Sequence, residues 1–177
     1  MRALSILLLA AAAAAFEIPR PSPDLAISMT DGTEMRLSQH RGKVLVLAFF
    51  LTTCPHCQKA IGYLSADQIQ LGPRGLQVLA SSIEDQPAAA VPGFVQRFHP
   101  PFPVGFNTNR EAVYNYLQHP SMLILKMPAL VFIDRQGVIR AEYKGDSDFL
   151  REDNMGANIR KQIESLLQEK PAAPKKR

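Results

Sequence analysis

The sequence has only two cysteines in 177 residues, Cys54 and Cys57, too few for a disulfide scaffold. Closed on each other they span a loop too small to constrain much of the unfolded chain, so chemistry explains the pair better than stapling does. An apolar run of the ~20 residues that a spanning helix needs is also missing. The run from Ala3 to Ala15 is broken soon after by Glu17, Pro19 and Arg20. Arg2, the apolar stretch and the small residues ahead of Phe16 match a secretory signal peptide over residues 1–16, so a periplasmic or otherwise extracytoplasmic location is expected. No cysteine stands near that cleavage point to carry a lipid. A basic face is absent too: Lys170, Lys175, Lys176 and Arg177 in the tail account for the whole formal charge of +4. Without basic residues interleaved with aromatic readers, nucleic acid is not an expected partner. Residues 170–177 have no apolar periodicity and read as a disordered basic end.

What is present is enough apolar material, 46% of the chain, for one core, and no internal repeat or second domain appears, so a single domain over 17–169 is expected. Residues Glu17 to Pro23 are proline-rich and suggest an extended lead-in. Asp24–Met29 and Glu34–Leu37 flank Asp31-Gly32, whose tolerance of positive φ suits a hairpin turn. Val44–Phe50 is continuously apolar, as a strand covered on both faces should be. Ile61, Leu64, Ile69 and Leu71 recur at helical spacing up to Gly72-Pro73, and Leu76–Ser82 reads as a second strand. Strand, helix and strand form a right-handed crossover, which places the cysteines where the first strand gives way to its helix, a common position for function in open α/β sheets. Further on, Ala88–Phe98 and Arg110–Gln118 suit helices and Phe102–Phe106 a short strand. Ala129–Ile133 and Val138–Tyr143 around Asp134–Gly137 form a hairpin, and Ile159, Ile163, Leu166 and Leu167 stripe a last helix.

The thiolate is the nucleophile of disulfide exchange, and an ordinary cysteine is mostly protonated at neutral pH. At a helix start, unpaired N–H groups and the positive end of the helix dipole favour an anion, so Cys54 is expected to ionise more easily than usual. Cys57, one turn on, can reach the same sulfur and resolve a mixed disulfide. Pro55 suits the first helical turn because its missing N–H loses no helix bond there. His56 adds a possible cation or hydrogen-bond donor beside the thiolate.

Several features in order carry a family resemblance: Pro23-Asp24, Asp31-Gly32, Leu37-Ser38, Arg41-Gly42-Lys43 and Phe50-Leu51-Thr52-Thr53-Cys54-Pro55-His56-Cys57. Phe102-Pro103-Val104, Met127-Pro128, Phe132-Ile133-Asp134 and Gly137 extend it. With them the chain resembles the TlpA/ResA-like thiol-disulfide oxidoreductases of the AhpC/TSA redoxin superfamily, exported proteins that include those serving cytochrome c maturation. The resemblance implies a thioredoxin-like α/β fold, a central mixed β-sheet flanked by helices with an N-terminal β-hairpin extension. It further implies that Cys54 attacks, that Cys57 resolves and that a cis peptide bond at Pro128 faces the disulfide. A carboxylate after the second strand is an acid/base group in some relatives, and Glu84 or Asp85 falls near that place, with Glu84 the candidate. No organic cofactor or metal is expected beyond the redox-active disulfide. The expected partners are exported protein thiols and disulfides together with a membrane-linked redox protein, and the expected state is a monomer.

The chain departs from the family in two places. Pro55-His56 looks like the dipeptide of strongly oxidising periplasmic disulfide donors, whereas the family match implies a reductase. Met127 stands where a threonine often precedes the cis proline, and residues 119–126 look like an altered approach to it. A peroxidase of the related peroxiredoxin class would want threonine and proline where Leu51 and Leu47 stand. A copper-delivering relative would separate its cysteines by three residues and add a histidine; metal delivery needs one of His40, His99 or His119 to approach Cys54 and Cys57.

Overall fold

The computed structural model describes residues 18–169. The expected signal peptide and basic tail lie outside the described residues. Within them, no helix is long and apolar enough to cross a membrane.

The centre of the molecule is β4 (Val44–Phe50), whose seven residues are all buried. Strand side chains alternate between faces, and this strand divides its own accordingly. Val44, Val46, Ala48 and Phe50 join one apolar cluster, while Leu45, Leu47 and Phe49 join another on the opposite face. Each large side chain so buried contributes about 1.5–3 kcal/mol relative to exposure. On the first face pack α1 (Pro55–Leu71), α2 (Pro87–Phe98) and α4 (Met155–Gln168). The second is covered by α3 (Arg110–Tyr116), through Val113 and Tyr116, and by Leu125 of the loop that follows it.

Around β4 the chain builds an eight-stranded sheet from β1 (Arg20–Pro21), β2 (Ala26–Ser28), β3 (Glu34–Arg36), β5 (Leu76–Ser82), β6 (Val104–Phe106), β7 (Ala129–Ile133) and β8 (Val138–Tyr143). Its order is β1-β8-β7-β4-β5-β6-β2-β3. The strands β4, β5 and β6 are parallel, linked by α1 and α2, while β7 and β8 return antiparallel beside β4. The β7–β8 turn is fixed by Asp134, whose Oδ1 accepts from the N–H groups of Gln136 and Val138, both at 2.9 Å. It is completed by Gly137 at φ +79°, a left-handed conformation that a β-carbon makes costly.

The N-terminal hairpin is present, but with strands of three residues and a five-residue connection rather than a tight turn, because Asp31 Oδ1 closes a local loop onto Thr33. The proline-rich lead-in is extended as expected, and its residues 20–21 form a short edge strand on β8, held by the buried pair of Arg20 and Glu142 at 3.0 Å. One expectation is corrected. On α1, Ile69 is 67% exposed. The inward position of that turn is taken by Asp67, which meets Arg160 of α4 at 2.7 Å. Burial, ahead of every other influence, pushes the Asp67 carboxyl pKa up. Apolar periodicity cannot show such a substitution, since the buried carboxylate is tolerated only through a partner about ninety residues away.

Candidate active site

The site is built where β4 ends. The chain turns through Leu51–Cys54, with the Cys54 N–H donating to the Leu51 carbonyl at 3.2 Å, and enters α1 at Pro55. Cys54 is the N-cap, and its Sγ accepts from the backbone N–H of Cys57 at 3.2 Å. A sulfur thus stands where a serine or aspartate oxygen usually satisfies the third amide of a helix. That is also where the helix dipole presents its positive end to an anion. Both cysteines are free thiols, Cys54 half-buried and Cys57 buried. Burial first, and then the contact with Cys54, pushes the Cys57 thiol pKa up, so it stays protonated through the neutral range. One sulfur is accessible and the other is held in reserve beneath it, an arrangement suited to attack followed by resolution.

The flanking residues divide into those that the fold brings to this point and those it turns elsewhere. Glu84 follows β5, which lies parallel to β4, so the two strand ends are neighbours. Its Oε2 accepts from the Thr52 N–H at 3.2 Å and the Thr52 hydroxyl at 3.0 Å, and its Oε1 accepts from the Ser82 hydroxyl at 3.2 Å. The carboxylate therefore anchors the loop two residues before Cys54. Asp85, the neighbouring candidate, points to the surface and pairs with Arg110 at 3.2 Å. His56 bonds through Nε2 to the Leu150 carbonyl at 2.7 Å. A carbonyl only accepts, so Nε2 carries the hydrogen, leaving Nδ1 as the ring nitrogen able to act on the motif. Pro55 occupies the first helical position, as its geometry favours.

The Met127–Pro128 peptide bond is cis. Antiparallel pairing sets Phe49 opposite Ala129, so Pro128 lies level with Phe50, at the strand end from which the motif loop departs. Met127 is half-buried and packs against both apolar clusters. The altered approach to this turn proves to be a surface loop in which Met122, Leu123 and Ile124 are exposed and Leu125 is buried.

Four contributors escaped the sequence reading. Thr52 and Ser82 supply the hydroxyls on Glu84, and Gln58 donates from Nε2 to the Thr52 carbonyl at 2.8 Å, tying the first turn of α1 to the same loop. Gly145 lets the backbone of Met127 approach so closely that a β-carbon there would collide with the Met127 carbonyl oxygen. Only the hydroxyl-bearing Thr52-Thr53 beside the motif carried a signal for any of these. Among the described residues, no three His, Cys, Asp or Glu side chains gather in a way that could hold a metal ion. His40, His99 and His119 are not drawn together with the cysteines into such a set.

A family model described as the AhpC/TSA family matches residues 14–142. The thiol-disulfide oxidoreductase ResA of Bacillus thuringiensis subsp. konkukian is 25% identical over 130 residues, covering 73% of this chain and 71% of that protein. ResA of Geobacillus thermodenitrificans is 27% identical over 119 residues, covering 67% and 64%. Among solved structures, a thiol:disulfide interchange protein of the thioredoxin family from Chlorobium tepidum superposes with a TM-score of 0.69 at 20% identity, over 85% of this chain and 98% of that one. The thioredoxin domain of a thiol-disulfide oxidoreductase from Bacteroides vulgatus gives 0.64 at 19% identity, over 82% and 96%. The fold is thus thioredoxin-like.

Proposed function

We propose, from the premise that the chain belongs to the AhpC/TSA family, that this thiol-disulfide oxidoreductase works outside the cytoplasm and reduces disulfides in exported proteins. The observation that carries the reading is the pair of sulfurs at the mouth of α1, one capped by an amide and accessible, the other buried and protonated. In the first step the Cys54 thiolate attacks one sulfur of a substrate disulfide. The Cys54–substrate disulfide forms, the substrate S–S bond breaks, and the second substrate sulfur leaves as a thiolate that takes a proton from water. In the second step Cys57 loses its proton and attacks Cys54 Sγ. The mixed disulfide breaks, the first substrate sulfur leaves, and Cys54–Cys57 closes, two electrons having passed to the substrate. Glu84, the carboxylate fixed beside the motif loop, receives the Cys57 proton directly or through a water.

The disulfide itself is the redox group, so the cycle calls for no organic cofactor. Resetting it does call for an electron donor, and in an oxidising compartment a membrane-linked dithiol protein fits that requirement. Pro128, level with the motif loop, stands where an extended substrate segment can lie along the backbone.

A second reading, donation of disulfides to exported thiols, is favoured by Pro55 and His56 alone. Equilibrating the protein in defined thiol buffers and trapping free thiols separates the two. A reduction potential near the ~−270 mV of thioredoxin supports the reductase, and one near the ~−120 mV of a strong periplasmic oxidant overturns it in favour of the donor.

A further inference from the structure

Beside the motif loop a cleft of about 340 Å³ opens between residues 52–58 and α2. Its inner wall is Phe94, only 4% exposed, set in an aromatic ladder with Phe50 at 4.8 Å and Phe98 at 4.7 Å between ring centroids. Phe50 ends β4 and the motif loop follows it directly, so the cleft runs up to the reactive edge. Room is left by Gly93, where an added β-carbon would meet nothing within 4 Å. On the motif side the lining is Thr52, Thr53 and Gln58, polar but uncharged. Among the described residues the cleft has a single charged side chain, Arg97, whose guanidinium lies over the Phe98 ring, 5.2 Å from its centroid.

Arg97 is exposed and makes no ion pair among the described residues. Glu84 accepts from Thr52 and Ser82 and forms no ion pair with Arg97. A cation held over an aromatic ring at the rim of a cleft with one aromatic wall and one uncharged polar wall is arranged to receive a carboxylate on a short apolar stem. Thr53, which lines the cleft, immediately precedes Cys54, so a partner cysteine held on Cys54 brings its own flanking residues towards this place.

We propose that this cleft is a specificity subsite, which seats an Asp or Glu side chain next to the reactive cysteine of the partner polypeptide. The proposal rests on disulfide exchange at Cys54 and adds the chemical class of its substrates: acidic cysteine segments over basic ones.

The test uses two disulfide-linked peptides identical except for Glu or Lys beside each cysteine, with hydroxyethyl disulfide as a small neutral substrate. Loss of protein thiols is followed for the reduced full-length chain, and the readout is the ratio of Glu-peptide to Lys-peptide rate constants within each protein. An exposed pair formed in one case and a repulsion met in the other give an expected ratio of about fivefold for wild type at low salt. That ratio shrinks towards one above ~0.1 M salt, where the screening length is about 10 Å. Arg97→Glu inverts it. Gly93→Leu, which fills the cleft on a helix face with open space and improves helix propensity, brings it to about one. A wild-type ratio of one, or a ratio retained in both variants, overturns the subsite. Failure of the underlying exchange reading is distinguishable, because wild type would then not reduce even hydroxyethyl disulfide in a Cys54-dependent way.

Discussion

Replacing Glu84 with Gln separates the two roles that its position allows, anchor of the motif loop and acceptor of the Cys57 proton. The amide can keep every contact: its oxygen accepts from the Thr52 N–H and hydroxyl, and its NH₂ donates to the Ser82 oxygen. Three bonds to a charged group, worth about 1.5–3 kcal/mol each, become neutral ones worth about 0.5–1.5. At a half-buried position the net loss of stability is about 1–2 kcal/mol. Glu84→Ala removes the partner outright and strands the donors of Thr52, itself only 9% exposed, at about 2–4 kcal/mol. The chemical effect has a different size. Loss of a positioned general base costs about 10²–10⁴ in rate, and partial access of water puts this site near 10². The chain has no tryptophan to report on the reaction, so the assay is acid quench and mass spectrometry after mixing reduced protein with a peptide disulfide. Glu84→Gln is expected to form the Cys54 mixed disulfide at the wild-type rate and to close the Cys54–Cys57 disulfide about 10²-fold more slowly. Closure within twofold of wild type would refute the proton-transfer role and leave Glu84 as an anchor.

Two further outcomes are expected from the same structure. Iodoacetamide at pH 7 labels one thiol of the reduced protein, Cys54, because Cys57 is buried and its raised thiol pKa holds it neutral at every pH below that value. In Cys54→Ser, labelling of Cys57 should rise only at strongly alkaline pH, and peptide mapping that found both cysteines labelled equally at pH 7 would sink the assignment. Arg20→Met leaves Glu142 buried with Lys144 as its remaining cation and takes a donor from the Tyr116 carbonyl. Denaturant unfolding should show a loss of about 2–4 kcal/mol, smaller in Arg20→Met with Glu142→Leu, and a loss under about 1 kcal/mol would show that this edge strap does not hold.

The parts of this protein governed by neighbours in sequence were legible in advance. The seven apolar residues of Val44–Phe50 require cover on both faces, and both clusters supply it. Pro55 at the first helical turn and Cys57 one turn beyond Cys54 put both sulfurs at the start of α1 wherever that helix packs. The turn at Asp134–Gly137 followed from local chemistry as well. Other features depend on partners far along the chain. Which carboxylate turns to the motif, Glu84 or Asp85, was decided by Thr52 on one side and Arg110 on the other. His56 was committed to a carbonyl at Leu150, and Arg20 was made part of an edge strand by Glu142. The cleft beside Cys54 exists because α2 lays Gly93 and Arg97 against a loop some forty residues earlier. Period and capping are properties of short segments and survive in the sequence alone. The pairing of buried polar groups, and the hollows left between elements, belong to contacts that form only when those segments pack together.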